Sequence, residues 1–285
     1  MTDTRRALAE ASRRLAGQGI PDAGRDARRL LAHVLGIPQE RLSIDMPAEL
    51  GTLAPAFEQA VARRAAREPL SHITGSRLFW GRSFTVTADV LDPRPETEAL
   101  VALALDAPFN RVLDLGTGSG CLLLTLLAER PLGQGLGVDL SPEALEVAGQ
   151  NRVALGLETR AELRVSDWFT GVSGRFDLIV SNPPYITEEE MAALSPEVLH
   201  EPAMALTPGG DGLDSYRVIA AGAGGFLAPA GRLMVEIGWK QGPQVAELFR
   251  AAGLEDVAVH ADMDGRDRVV TARRPIAASK DAQSA

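Results

Sequence analysis

The sequence has few of the residues that form disulfide bonds, metal sites and membrane spans. A single cysteine, Cys121, excludes an internal disulfide framework and suits a reducing compartment. Only four histidines occur among 285 residues, and they are scattered, so we expect no His/Cys metal site. No apolar stretch reaches transmembrane length, and the start MTDTRRALAEASRRLAG lacks a signal-peptide core. These absences predict a cytoplasmic protein that does not contact a membrane.

Lysine is scarce as well, and the charges are unevenly distributed. The net charge is −9, with only two lysines. Residues 1–70 carry eleven arginines against nine acidic residues, whereas the rest of the chain carries 18 basic and 29 acidic residues. Proteins that hold nucleic acid neutralise its phosphates with a basic surface. We therefore expect no direct nucleic-acid partner for the larger, acidic part of the chain.

Residues 1–70 show apolar side chains at helical intervals and no strand-like runs. The segment DAGRDARRLLAHVLG (22–36) ends in a glycine, as many helices do. The segment APAFEQAVARRAAREPL (54–70) is a second amphipathic helix, which we expect Pro69 to end. We predict a small helical domain over residues 1–70.

A change of pattern follows the helical segments. Two short β-prone runs around Gly81 predict a hairpin linker over residues 71–92. From Arg111 onward, strands alternate with helices, which is typical of an α/β fold whose parallel sheet is covered on both faces. We place this domain at residues 93–275 and expect the polar residues 276–285 to form a disordered tail. We predict seven strands, which in chain order are RVLDL, the end of GQGLGVDL, AELRVS, RFDLIVS, GRLMVEIG, EDVAVH and RDRVVTARR.

A glycine-rich loop follows the first of these strands. The segment VLDLGTGSG (112–120) reads G-x-G-x-G rather than the dinucleotide fingerprint G-x-G-x-x-G, because position 121 is cysteine. Such a loop lets a ligand approach the backbone and offers amide N–H groups at a helix start. Asp139 ends the second strand, where a carboxylate can accept hydrogen bonds from both ribose hydroxyls. The loop and Asp139 together favour an adenosine ligand over a tight turn with an incidental acid.

The fourth strand ends in IVSNPPYI (179–186). Pro183 and Pro184 remove two backbone donors and hold the preceding residue extended. What remains is a stiff group of acceptors, the Asn182 side-chain oxygen and nearby carbonyls, beside the ring of Tyr185. This group is suited to hold an NH2 group.

The position of the two loops in the sheet decides their chemistry. Ligands of doubly wound sheets gather at the carboxyl ends of strands, where the winding reverses. If the first and fourth strands are neighbours, the glycine loop and the NPPY turn share one crevice. A set of acceptors that can bind an amine, placed beside an adenosine ligand, favours methyl transfer from S-adenosylmethionine over hydride transfer.

These segments resemble class I S-adenosylmethionine-dependent methyltransferases of the amino-methylating type. More narrowly, the order of several motifs is similar to that of the bacterial protein-(glutamine-N5) methyltransferases, over about residues 68–268. NPPY alone is not specific, since DNA and RNA amino-methyltransferases share it, but RPETE upstream makes the combination specific. The motifs are REPLSHITGSRLFWG, DPRPETEALV, SDWF, FDLIVSNPPYI, EPAMAL, GGDGLDSYR and EIGWKQG.

The resemblance implies a fold, a cofactor and a partner. The fold is α/β, a Rossmann-like seven-stranded methyltransferase sheet with the small N-terminal helical domain, which would dock the substrate. The cofactor is S-adenosylmethionine, with S-adenosylhomocysteine as its product. The protein substrates are class I peptide chain release factors, methylated on the glutamine of their Gly-Gly-Gln motif, and we expect the enzyme to be a monomer.

The resemblance also assigns site residues. The methionine and ribose portion of the cofactor would be wrapped by Gly116, Thr117, Gly118, Ser119 and Gly120. Asp139 would hold the ribose, Trp168 would lie by the adenine, and Asn182 would border the cofactor as well. The substrate glutamine would be bound by Asn182, Pro183, Pro184 and Tyr185. Asp167 competes with Trp168 as an adenine contact, since a carboxylate can accept the exocyclic amine.

We hypothesise that Asn182 and Pro183 are the catalytic residues. A carboxamide nitrogen is a poor nucleophile because its lone pair is delocalised into the carbonyl. The Asn182 side-chain oxygen and the Pro183 carbonyl would accept its two N–H bonds and aim the nitrogen at the methyl group. Tyr185 would pack against the flat amide. No strong general base is needed, since a proton can leave after the methyl arrives.

Other residues keep two interpretations. RPETE either starts a helix, with Pro95 in the first turn and acidic residues favouring the dipole, or lets Arg94 or Glu96 shape an active-site lid. Glu201 and Asp211 lie in a turn-rich loop, and we assign them no catalytic or binding role. Cys121 is expected to be a small buried side chain rather than a catalytic thiol.

Three other functions remain open. A nucleic-acid amino-methyltransferase would use the same NPPY turn on a base amine, but would need a basic groove. A glutamine methyltransferase of a ribosomal protein differs only in its protein substrate. A binding protein that has lost catalysis is disfavoured by the intact glycine loop, Asp139 and NPPY.

Overall fold

The computed structural model of the protein describes residues 3–276, which form two compact units. One unit runs up to Ser76 and also includes Leu194–His200, a segment from the second half of the chain. The other unit contains Arg77–Ala193 and the chain from Glu201 onward.

The first unit contains five helices around an apolar core. Its helices are α1 (Thr4–Gly17), α2 (Ala23–Leu35), α3 (Leu42–Asp45), α4 (Ala54–Ala65) and α5 (Leu70–Thr74). The helix predicted over 22–36 is confirmed as α2, which ends at Leu35 and is capped by Gly36 with a φ of 65°. The second predicted helix ends earlier than expected, at Ala65. Pro69 instead precedes α5, where a residue without an N–H donor fits a helix start.

Glu197 ties the separate segment Leu194–His200 to the helices of the same unit. One oxygen of Glu197 lies 2.8 Å from Arg67 Nε and 3.1 Å from Arg64 Nη1. Arg64 Nε also pairs with Asp26 of α2 at 2.8 Å. Because Arg64 is buried, salt screens these pairs less than it screens surface pairs.

The second unit begins with the predicted hairpin and continues as alternating strands and helices. The two strands around Gly81 are confirmed, since β1 and β2 form a two-stranded sheet, but residues 71–74 of the predicted hairpin linker are helical and belong to α5. The strands of the unit are β1 (Ser76–Phe79), β2 (Arg82–Thr85), β3 (Arg111–Leu115), β4 (Gln134–Asp139), β5 (Ala161–Val165), β6 (Phe176–Ser181), β7 (Leu227–Glu236), β8 (Glu255–Ala261) and β9 (Asp267–Arg273). Its helices are α6 (Glu98–Leu105), α7 (Cys121–Glu129), α8 (Pro142–Ala154), α9 (Glu188–Met191), α10 (Ala203–Leu206), α11 (Asp214–Phe226) and α12 (Gly242–Ala251).

Seven of these strands form one sheet in the order β5-β4-β3-β6-β7-β9-β8, which confirms the predicted seven-stranded fold. Strands β3 to β7 pair in parallel. The sheet departs from a wholly parallel one at β9, which is antiparallel to β7 and β8. The connection between β8 and β9 is too short for the crossover that a parallel pair requires. The predicted tail 276–285 lies outside the described residues except for Ile276.

Both faces of the central strands of the sheet are buried. Along β3, Leu113 and Leu115 belong to the apolar core on one face, whereas Val112 belongs to the core on the other. Ile179 and Leu178 of β6 divide between the same two cores. Neighbouring residues of a strand point to opposite faces, so each near-continuous apolar run indicates helices on both sides.

The winding of the sheet reverses between β3 and β6, and the two strands are paired directly. Leu115 lies opposite Ser181, and the next residues along the two strands are Gly116 and Asn182. The condition set by the sequence is therefore met: the glycine loop and the NPPY turn leave the sheet side by side.

Candidate active site

A cavity of about 390 Å³ lies at the carboxyl ends of β3, β4 and β6. This volume falls in the range of small-molecule sites, ~300–1,000 Å³. Most of the residues predicted for the site line it, namely Gly116, Thr117, Gly118, Ser119, Asp139, Trp168, Asn182 and Pro184. Asp167, the competing adenine contact, lines it as well.

Three predicted residues do not line this cavity: Gly120, Pro183 and Tyr185. Gly120 has a φ of 78°, and a Cβ at this position would lie 2.9 Å from Leu124 Cδ1, so glycine is required for the turn and for packing. Pro183 is buried. Tyr185 packs against the apolar core, and its hydroxyl lies 3.4 Å from Glu236 Oε1. Direct ligand contacts of these residues stay predictions.

The glycine loop is held by its neighbours and leaves open space at two positions. Gly116 and Gly118 have φ values of 71° and 53°, and a Cβ at either would have no atom within 4 Å. The Thr117 hydroxyl donates to Asp114 Oδ2 at 2.7 Å and so fixes the loop to the end of β3. Burial raises the pKa of Asp114 to about 7.

Asp139 is positioned by two backbone amides. Its Oδ2 accepts from Gly118 N at 2.8 Å, and its Oδ1 accepts from Ser141 N at 3.0 Å. Burial raises the pKa of Asp139, while these two hydrogen bonds act in the opposite direction. Each carboxylate oxygen keeps a further lone pair. A fixed carboxylate with free lone pairs at the wall of the cavity is what a ribose diol requires.

Trp168 lies in a turn that is fixed by Ser166. The Ser166 hydroxyl donates to the Trp168 carbonyl at 2.9 Å and accepts from Gly171 N at 2.8 Å. Trp168 has a φ of 47°, a left-handed value that is costly for a bulky side chain. The half-buried ring is thereby held at the cavity wall, where a flat base could stack.

Asn182 is linked to β7 through a residue of the RPETE segment. Its Nδ2 donates to Thr97 Oγ1 at 3.3 Å, and the Thr97 hydroxyl donates to Glu236 Oε2 at 2.6 Å. Its Oδ1 is buried and has no hydrogen-bond partner within residues 3–276. Buried carbonyl oxygens are normally satisfied. An acceptor left open at the cavity wall is suited to receive an N–H group of a ligand.

Cys121 also lines the cavity, but its chemistry does not favour a nucleophile. Burial raises the pKa of its thiol to about 12. A thiol reacts as its thiolate. The expectation of a non-catalytic cysteine is consistent with this shift, but Cys121 is half-buried rather than buried as expected.

Sequence reasoning missed three residues of this region. Thr97 and Glu236 are 139 positions apart, and no local pattern indicates that they meet. Glu201, which received no role, is buried and pairs with Arg94 at 2.5 Å. Arg94 lines the cavity, so the RPETE segment both starts a helix and supplies part of the cavity wall. Thr97, Glu201 and Glu236 all lie in motifs shared with the family that the sequence resembles, and this is the signal that could have indicated them.

The described residues contain neither a membrane-spanning helix nor a cluster of metal ligands. Within residues 3–276, no helix is long and apolar enough to cross a bilayer. The same residues contain no group of three or more His, Cys, Asp or Glu side chains that could hold a metal ion.

The chain matches two protein-family models and is similar to named relatives from bacteria. The PrmC N-terminal domain model matches residues 6–75, and the methyltransferase small domain model matches residues 88–213. The release factor glutamine methyltransferase of Cereibacter sphaeroides is 60% identical over 95% of this chain and 98% of its own length. The protein of the same name from Rhodospirillum rubrum is 48% identical over 94% of this chain and 84% of its own length.

The fold also has counterparts among solved structures. A methyltransferase from Pyrococcus furiosus superposes with a TM-score of 0.56 at 16% identity. The match covers 75% of this chain and 99% of that protein. Identity this low supports the shared Rossmann-like fold and nothing further.

Proposed function

Since this chain belongs to the family of release factor glutamine methyltransferases, we propose that it transfers a methyl group from S-adenosylmethionine to the side-chain amide of the glutamine in the Gly-Gly-Gln motif of class I peptide chain release factors. The observation that carries this proposal is the buried, unpartnered Oδ1 of Asn182, one residue past the strand that flanks the glycine loop.

The residues of the cavity fit S-adenosylmethionine. Asp139 offers fixed lone pairs to the ribose hydroxyls, and Trp168 and Asp167 offer a ring and a carboxylate to the adenine. The open space in front of Gly116 and Gly118 would admit the methionine portion close to the backbone. When bound, this cofactor supplies an electrophilic methyl group.

The chain itself must position a weak nucleophile. The lone pair of a carboxamide nitrogen is delocalised, so orientation has to supply much of the rate gain. Asn182 Oδ1 would accept one N–H bond of the substrate amide, and the Pro183 carbonyl would accept the other. As the nitrogen becomes positive, both hydrogen bonds strengthen, which stabilises the transition state more than the ground state.

The acceptors also make a strong base unnecessary. The N–H bonds that point at Asn182 and Pro183 become more acidic during methylation, and a proton can leave afterwards. Pro184 has no backbone donor, so the stiff turn presents acceptors without competing amide donors. A set of acceptors favours an NH2 group, which donates two hydrogen bonds, over an alkoxide or a carboxylate, which can only accept them.

Docking of the protein substrate is assigned to the N-terminal helical unit. One glutamine offers few contacts, and specific protein interfaces bury far larger surfaces. Residues 1–70 carry a slight excess of basic groups, in contrast to the acidic remainder of the chain. We assign release-factor recognition to this unit on that ground.

Mass spectrometry tests the proposal. The purified chain is incubated with S-adenosylmethionine and either a class I release factor, a ribosomal-protein mixture, DNA or RNA. We expect one added methyl group on the Gly-Gly-Gln glutamine and none on the other substrates. Methylation of DNA or RNA without methylation of the release factor would contradict it.

A further inference from the structure

Glu236 is a buried carboxylate that the proposed mechanism does not use. It ends β7, is 1% exposed, and lies next in sequence to Val235, the register partner of Ser181. Burying a carboxylate is costly unless it is hydrogen-bonded. Its bonds come from the Thr97 hydroxyl at 2.6 Å and, more weakly, from Tyr185 at 3.4 Å. Its closest donor is therefore the residue that also contacts Asn182.

The Thr97 hydroxyl is not used as a helix cap. Thr97 has a φ of −64° and a ψ of −20°, so it continues the turn Pro95–Thr97 into α6, and its side chain makes no capping hydrogen bond. An N-cap residue has extended backbone angles, as Ser141 before α8 has, and its side chain accepts from the first turn of the helix, in that case at 3.0 Å. The Thr97 side chain is therefore free to join Asn182 to Glu236.

Because the Thr97 hydroxyl has a single proton, it can donate only one of its two hydrogen bonds, to Glu236 or to Asn182. A hydroxyl has one proton, and that of Thr97 points to Glu236 Oε2. Toward Asn182 the Thr97 oxygen can only accept, so it must face the NH2 group of the amide, as it does at 3.3 Å. A flipped Asn182 would place two acceptors in contact and direct its NH2 group at the substrate.

We propose that Thr97 and Glu236 are positioning residues that set the orientation of the Asn182 carboxamide and so keep its oxygen available to the substrate amide. The inference rests on the proposed function, because the oxygen matters only if a ligand N–H is brought to it. Neither residue touches the reacting nitrogen in this role. Both act through Asn182.

The protonation state of Glu236 should then determine the orientation of the Asn182 carboxamide. Burial raises the pKa of Glu236 to about 7. Below this pH the carboxylic acid has a proton of its own to donate to Thr97, which frees the Thr97 proton to face Asn182 and favours the flipped amide. Above it, the carboxylate can only accept. Methyl transfer should therefore rise with pH through about 7.

The other groups around Glu236 do not reverse this direction. Thr97 and Tyr185 bond to it, Arg268 lowers its pKa, and Glu96 raises it. Burial is the main cause of the raised pKa values of the Cys121 thiol and the Tyr216 hydroxyl, and Glu236 raises both further. Arg268 has a raised pKa and stays cationic across this range.

The test uses the full chain with a class I release factor, and it measures kcat, KM and the Kd of S-adenosylmethionine. Thr97→Val removes the hydroxyl at nearly constant volume, and Thr97→Ser keeps it. Thr125→Val is the matched control, since the Thr125 hydroxyl of α7 is buried without a partner in the described part of the chain. Glu236→Gln replaces the titrating group.

We expect Thr97→Val to lower kcat about tenfold, the effect of one hydrogen bond, with the Kd of the cofactor unchanged. Thr97→Ser should keep kcat within about threefold, and Thr125→Val should match the wild type. The double variant Thr97→Val/Asn182→Ala should be no slower than Asn182→Ala alone, because the first residue acts through the second. Glu236→Gln should abolish the rise of kcat near pH 7.

Two results would overturn the inference while leaving the proposed function intact. One is a Thr97→Val enzyme with wild-type kcat beside an inactive Asn182→Ala enzyme. The other is a Glu236→Gln enzyme that keeps the pH profile of the wild type. A wild-type chain that binds cofactor but never methylates the release factor would instead contradict the proposed function, and the inference with it. If Thr97→Val fails to fold, the Glu236→Gln profile decides.

Discussion

Leu115 and Ser181 face each other in the adjacent parallel strands β3 and β6, and the Ser181 hydroxyl donates to the Leu115 carbonyl at 2.7 Å. This pair is the last one before both strands leave the sheet. The chain continues from it into the glycine loop on one side and into Asn182 on the other. A methyl donor held by the first loop and an amide held by the second would therefore share one crevice.

Gly116 should be needed for cofactor binding beyond its role in the turn. A Gly116→Ala Cβ would project into the open space that the ligand is proposed to fill, and the φ of 71° adds strain of about 1 kcal/mol. We expect the affinity for S-adenosylmethionine to fall at least about tenfold by calorimetry, well over 1 kcal/mol. Gly156→Ala is the control, since Gly156 has a φ of 65° in an exposed turn away from the cavity. Equal loss of affinity in both variants would mean that strain alone is responsible.

Asp139→Asn should weaken the binding of S-adenosylmethionine, because Asp139 is proposed to accept hydrogen bonds from the ribose hydroxyls. The amide keeps one acceptor oxygen, so only one of the two backbone bonds from Gly118 and Ser141 survives, and the charge is lost. Hydrogen bonds to charged groups contribute ~1.5–3 kcal/mol, so we expect a Kd that rises about ten- to hundredfold. Glu143→Gln removes an exposed charge nearby and should leave the Kd unchanged. An unchanged Kd in Asp139→Asn would remove this residue from the site.

Asp114 should make the fold less stable as the pH rises. Burial holds its pKa at about 7 in the folded protein, above the ordinary value of 3.8, so the folded state binds the proton more tightly. The stabilisation is complete below about pH 4 and is lost as the pH rises through 7. In Asp114→Asn this loss is absent, and the amide can still accept from Thr117. We expect the variant to gain a few degrees in Tm over the wild type between pH 5 and pH 8. A constant difference in Tm across this range would contradict the assignment.

Removal of the helical unit tests the proposed docking role. A chain lacking residues 1–70 should bind S-adenosylmethionine normally but methylate a release factor much more slowly. The deletion should also carry Glu197→Gln, because Arg64 and Arg67, its two partners, are lost. The readouts are the cofactor Kd and the rate at a fixed concentration of release factor. An equal loss of both would indicate a misfolded chain, and unchanged methylation would exclude the unit from docking.

The sequence predicted the elements that local patterns encode. The alternation of strands and helices and the hairpin around Gly81 each depend on a few neighbouring residues. The proximity of the glycine loop and the NPPY turn could be stated only as a condition, because strand order is set by packing across the whole sheet.

What the sequence could not supply is contact between distant segments. Thr97 reaches Glu236 across 139 positions, and Glu197 joins α4 across 133. Such pairs leave no periodicity to detect. The end of α4 was also missed, because Arg67 takes a φ of 69° before Pro69 is reached.

The most direct measurement of the central claim is single-turnover methyl transfer by Asn182→Ala, with the enzyme saturated in S-adenosylmethionine. Cofactor affinity is measured separately, and Asn110→Ala, at an exposed position before β3, serves as the control. We expect a rate at least about a hundredfold below wild type, the scale of losing one preorganised acceptor of the transition state, with an unchanged Kd. Near-wild-type transfer by a folded, cofactor-loaded Asn182→Ala enzyme would contradict it.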